Sequence, residues 1–191
     1  LAHSSFVGLQ FEGGSKAAIG FHHVSDHRFE TEVRHLHLAF RNFTTAGVLA
    51  EPKDKFALAE TEFRNCLFEN CGRGVSFTSF NDYDFTFDGC EFRRCGIGIE
   101  CVHGNFYARN SHFEGSTDVD ILSAPEHGSS VRRCTSRGSR QFLRYGNPVA
   151  PMAIQDCRVS GWAGPDGAVS LSGAPVAMFD CVFSSGLPGA S

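Results

Sequence analysis

The chain has little of what marks several common protein classes. Among 191 residues it has one Trp, three Tyr and two Met, and lysine occurs only at positions 16, 53 and 55. The net charge is −4 and the basic residues are scattered, which argues against a nucleic-acid partner. No stretch approaches the roughly 18 consecutive apolar residues that cross a bilayer, so no membrane span is expected. The opening Leu1 to Gln10 lacks the basic-then-apolar layout of a signal peptide. Because the sequence starts at Leu1 and is repeat-like almost at once, it is expected to be part of a longer chain. A 3.6-residue apolar period is missing, which removes helical repeat arrays, and so is the roughly 40-residue unit of a propeller blade. The cysteines lack the paired C-x2-C spacing of a structural zinc site.

Phe, Gly and Cys are abundant instead, at 19, 21 and 8 residues. The segments FRNCLFENCGRGVSF (63–77) and FDGCEFRRCGIGIEC (87–101) match at an offset of 24, and weaker copies begin near residues 108, 131, 154 and 178. Alignment on a central small residue gives Leu9, Leu38, Cys66, Cys90, Ser111, Cys134, Cys157 and Cys181. The residue three before each later anchor is apolar, and the anchor alternates with its second neighbour, so each unit contains short strands joined by Asn- and Gly-rich turns. The expected fold is all-β: one right-handed parallel β-helix domain over 1–191, a solenoid of about eight coils. In such a stack, rungs lie about 4.8 Å apart and equivalent side chains pile on one another.

This register makes the cysteines a core feature. Cys66, Cys90, Cys134, Cys157 and Cys181 share one inward column in which Ser111 also stands, and Cys71 with Cys95 share a second. They are expected to be reduced and buried, because small Cys behaves as a compact hydrophobe. Outward columns alternate in sign, as in Glu69, Arg93, Glu114 and Arg137, which adjacent strands favour. His22, His23, His27, His35 and His37 read as surface histidines.

One column breaks the alternation. With Gly98 aligned to Asp118, Glu100 and Asp120 fall on adjacent coils with their stems roughly 5 Å apart. Two such carboxylates repel, which raises the pKa of one or recruits a cation, calcium being the candidate. Glu100, Asp120 and His103 are therefore the candidate catalytic residues, as acid/base or cation-holding groups. Tyr83, Asp84, His127, Arg144 and Tyr145 lie in or beside neighbouring loops that could converge on one edge, and are the candidate substrate contacts.

The run Asn65-Cys66-Leu67-Phe68-Glu69-Asn70-Cys71-Gly72-Arg73-Gly74-Val75 resembles the repeats of the pectate-lyase-like superfamily of β-helices. That resemblance implies a polysaccharide or surface glycan as partner, bound or processed by lyase-like or glycoside-hydrolase-like chemistry, and an extracellular or cell-surface location. The polygalacturonase motifs do not accompany it: aspartates are never adjacent, and the His-Gly pairs read Val102-His103-Gly104 and Glu126-His127-Gly128. The alternative is a non-catalytic structural or adhesive solenoid. Open rungs at the ends of a β-helix are a pairing hazard, so either a cap from outside this sequence or end-to-end self-association is expected.

Overall fold

The computed structural model describes residues 3–24, 31–51, 58–79, 82–147, 149–173 and 175–186. It is a parallel β-solenoid, with no helix among the described residues. Three long sheets run the length of the stack. Sheet 1 holds eight strands, from Ser5–Val7 to Val176–Phe179; sheet 2 holds eight, from Gln10–Glu12 to Val182–Ser184; sheet 3 holds seven, from Ile19–His23 to Val169–Leu171. Every pairing is parallel, each strand adding to the equivalent strand of the coil before it. Enclosed turns number about six rather than the eight equivalent coils the spacing predicts. In the first and last described rungs, Val7 and Leu9 at one end and Phe179, Val182 and Phe183 at the other are exposed.

Two backbone corners explain why the anchor column is regular. The residue before each anchor adopts positive φ, including Asn65, Gly89, Asn110, Arg133 and Asp156, and in the coils from Leu38 to Cys157 so does the fourth residue after it, including Asn42, Asn70, Arg94, Gly115 and Gly138. Left-handed residues at both ends confine sheet 2 to three-residue strands, and Asn tolerates that conformation better than most side chains. The corner side chains also bond along the stack: Asn70 Nδ2 donates to Asn42 Oδ1 at 3.1 Å, and Arg94 Nε donates to Asn70 Oδ1 at 2.9 Å.

Inside, the repeat delivers stacked aromatics. In sheet 2 Phe11, Phe40, Phe68, Phe92 and Phe113 pile up at centroid separations of 4.8, 5.2, 4.9 and 4.9 Å, with ring planes within 10° of parallel. All eight cysteines are free thiols, buried except for the half-buried Cys181. Their Sγ atoms donate to backbone carbonyls, as Cys66 does to His35 O at 3.2 Å, and burial drives the Cys90 and Cys101 thiols well above the ordinary value. The inward cysteine column thus matches its sequence assignment.

The histidines do not. His23 and His35 are buried, with Nε2 atoms 2.8 Å apart, and His35 is sandwiched in the sheet 1 stack between Phe6 and Phe63. One ring donates and the other accepts, so the accepting ring is neutral. Burial pulls their pKa values down to about 4 and about 3. His35 escapes a surface assignment because it takes the place of a Phe in its column; His22 does lie outside, 3.2 Å from Glu51. His27 lies outside the described residues.

Candidate functional site

Glu100 and Asp120 do not face each other. Across sheet 3 Glu100 pairs with Leu122, and Leu122 with Arg144, while Ile97 pairs with Val119. The turn before this strand is one residue longer than in the preceding coils: two positions separate Cys95 from Ile97, but three separate Ser116 from Val119. The anchor spacing alone sets Gly98 against Val119, and the extra turn residue sets it against Asp120, so aligning Gly98 with Asp118 misplaces the rung by two residues. The slip leaves apolar residues at apolar positions, with Val119 opposite Ile97 and Ile121 opposite Ile99, so the apolar pattern does not reveal it.

Asp120 occupies the rung position of Gly98 and is completely buried. That position looks inward: a Cβ on Gly74 would lie 2.7 Å from a ring carbon of Phe92, and one on Gly98 would lie 3.0 Å from Phe113. Asp120 has room because the next member of the Phe column is Ser136. The Ser136 Oγ donates to Asp120 Oδ2 at 2.5 Å, and hydroxyls of Ser139 and Ser116 also face the carboxyl. Burial outweighs these donors and lifts the Asp120 pKa to about 6. Its Oδ1 has no partner among the described residues. Asp120 is thus an interior group, enclosed away from any bound polymer.

Glu100 stays on the outer side of sheet 3 and is held there. Ser76 Oγ donates to its Oε2 at 2.6 Å, and Arg73 Nε lies 2.5 Å from the same oxygen. Arg144 stands two rungs away on the same face and grips Asp118 with both terminal nitrogens, at 2.7 and 3.3 Å. Tyr145 points inward, buried, with its hydroxyl donating to Ala150 O at 2.6 Å. These four residues do not come together at one surface.

The loops between sheet 3 and sheet 1 do converge. The Tyr83 and His127 rings meet edge to face, with centroids 5.0 Å apart, although they come from different coils. His103 Nδ1 lies 3.0 Å from Glu126 Oε1. Asn105 ties the edge together: its Nδ2 donates to Asp84 Oδ1 at 3.0 Å and Tyr107 Oη at 2.9 Å, while its Oδ1 accepts from the Asp84 backbone N at 2.8 Å. Asp84 itself has positive φ, which turns its carboxylate out of the strand direction. Behind this edge Asp82 is fully buried, and burial lifts its pKa to about 8, so it holds its proton at neutral pH.

The edge opens onto a polar groove of about 560 Å³ on the outer face of sheet 1, lined by Glu32, Arg34, Glu60, Thr61, Glu62, Asp84, Thr86 and Arg109. Arg64 Nη2 lies 2.5 Å from Glu62, and Arg109 Nε lies 3.1 Å from Asp88 Oδ2. Sequence reasoning missed Tyr107 and the Glu60–Glu62 segment. Tyr107 was signalled by alternation, as the outward aromatic of Phe106–Arg109, whereas the Glu residues gain meaning only once three coils lie side by side. Among the described residues no group of three or more His, Cys, Asp or Glu side chains could hold a metal ion. No family model matches this sequence, and no curated protein matches it, so the arrangement of its own side chains is what speaks to its function.

Proposed function

We propose that this β-solenoid is a carbohydrate-binding protein that holds a polysaccharide or surface glycan along the edge between sheet 3 and sheet 1, with the groove of sheet 1 extending the track. The observation that carries this reading is the convergence of Tyr83, His127, Tyr107, Asp84, His103 and Glu126 from three successive coils onto one edge. Aromatic rings offer apolar faces for sugar C–H groups, while carboxylates and the amide accept and donate to hydroxyls. A solenoid repeats such contacts at each rung, about 4.8 Å apart, which suits an extended polymer.

Binding rather than turnover is favoured by the separation of Glu100 from Asp120, which removes the one carboxylate pair that the sequence suggested. A processing activity would fall to the His103–Glu126 pair, whose contact at 3.0 Å is that of a base and its orienting carboxylate. Affinity electrophoresis and calorimetry against neutral and acidic polysaccharides, with and without calcium, test the reading. Tyr83→Ala and His127→Ala should each weaken binding by about tenfold, the effect of losing roughly 1.4 kcal/mol, with unchanged thermal stability. Retention of full binding in the double variant, or no binding to any glycan by the parent protein, would defeat it.

A further inference from the structure

Beyond the glycan edge, the later coils become basic. Segment 131–160 carries Arg132, Arg133, Arg137, Arg140, Arg144 and Arg158 against one acid, Asp156. In this part of the stack charge alternation fails: Arg109 stands directly opposite Arg132 on the neighbouring strand. Like charges so placed destabilise a sheet. Arg109 is neutralised by Asp88 on its other side, but Arg132 is followed by Gln155, and it has no hydrogen-bond or ion-pair partner among the described residues.

An adjoining cleft of about 280 Å³, which shares Arg109 with the groove, is lined by Tyr107, Ala108, Arg109, Ser130, Arg132 and Arg133. Ala108 forms its floor, since it points inward while Tyr107, Arg109 and Arg132 stand out from the two strands. Two of the three arginines are pre-set. Arg109 is anchored through Nε to Asp88 at 3.1 Å, and Arg133 through Nε to Asn110 Oδ1 at 3.0 Å, which leaves the terminal nitrogens of Arg133 unengaged. Fixed guanidinium forks present several N–H donors in plane, a geometry that matches an oxyanion with many acceptor oxygens.

We propose that Arg109, Arg132 and Arg133, with the Ser130 hydroxyl, form a binding subsite for a tetrahedral oxyanion, a sulfate or phosphate group carried by a ligand. The anion relieves the opposition of Arg109 and Arg132, which Asp88 compensates on the Arg109 side alone. This subsite does not depend on the glycan reading, because its ligand group is recognised by charge and geometry alone.

Calorimetry of the full chain with inorganic sulfate, inorganic phosphate, and the sulfate and phosphate esters of one monosaccharide tests it, at constant ionic strength set with chloride. Saturable binding of at least one of these is expected, and the two ester arms separate a sulfated from a phosphorylated source. Arg132→Gln should weaken it about tenfold, and Arg132→Gln with Arg133→Gln should abolish it, while Arg137→Gln on sheet 2 leaves it unchanged. Without oxyanion the Arg132→Gln protein should melt at the same temperature as the parent or higher, because a like-charge contact is gone. Responses to sulfate and phosphate no different from chloride, or undiminished affinity in the double variant, would overturn the proposal. Sulfate binding without any glycan binding would sustain it while removing the glycan reading.

Discussion

The coils up to Phe113 and the coils beyond it close the same solenoid with different chemistry. In the first region each rung places a Phe on sheet 2 and a Gly at the start of sheet 3, so that the ring of one coil lies over the glycine of the coil before it. At the boundary both partners change at once: Ser136 replaces Phe and Asp120 replaces Gly. The volume lost from the ring is refilled by a carboxyl, and the carboxyl is met by hydroxyls. The lesson is that a rung tolerates either an apolar or a polar filling, provided that residues far apart in sequence change together, since an unmatched ring or an unmatched carboxyl is expensive.

The largest effect should come from breaking the apolar filling. Phe92 is fully buried between Phe68 and Phe113, so Phe92→Ala should cost about 3 to 5 kcal/mol in denaturant unfolding. Swapping the filling sharpens the comparison further. Asp120→Gly alone leaves a void, and Ser136→Phe alone drives a ring into the carboxyl, so each should destabilise by roughly 2 kcal/mol or more. Together they restore the pattern of the earlier coils, and the double variant should recover most of that loss in a double-mutant cycle. Simple additivity of the two would mean that the fillings are not interchangeable.

Titration separates the two regions by sign. His23 and His35, in the early coils, have pKa values held below the ordinary 6.5, so the unfolded chain binds more protons than the folded one under acid conditions. Their contribution is fully present above about pH 6.5 and is lost as the pH falls toward 4, on the order of 3 kcal/mol for His23. Asp120, at the boundary, runs the other way. With its pKa raised from 3.8 to about 6, the folded state keeps a proton that the unfolded state has released, so stability falls as the pH rises from about 4 to 6. Unfolding of His23→Leu with His35→Phe should lose the acid-side decline, and that of Asp120→Asn the opposing slope; an unchanged pH profile in either would contradict the burial of that group.

The smallest effect belongs to the outer columns, which both regions share. Arg41 Nε meets Glu69 Oε2 at 3.0 Å across adjacent coils near the surface. Arg41→Gln should change stability by less than about 1 kcal/mol, and less again at high salt. A larger loss would assign the charge ladder a structural weight that the stacked core does not leave to it.

The repeat in the sequence determined the solenoid, the anchor column, the inward thiols and the Phe stack, because a parallel stack places equivalent residues on top of one another and each inward position is then read directly from the alignment. It also placed the loops of Tyr83, His103 and His127 on one edge. Three things were decided only by the tertiary structure. Glu100 parts from Asp120 because the anchor spacing and the longer turn before Val119 together set Gly98, not Glu100, opposite Asp120, while the apolar neighbours still match. His23 and His35 become a buried pair because a neutral imidazole can take a Phe position in one column, and the ring of His23, in the column of Ala50, reaches across to it. Asp120 turns inward because the Phe that would exclude it is missing from the following coil, sixteen residues later in the chain. In each case the deciding contact runs between coils, where packing volume and desolvation act, and no local pattern of residues records it.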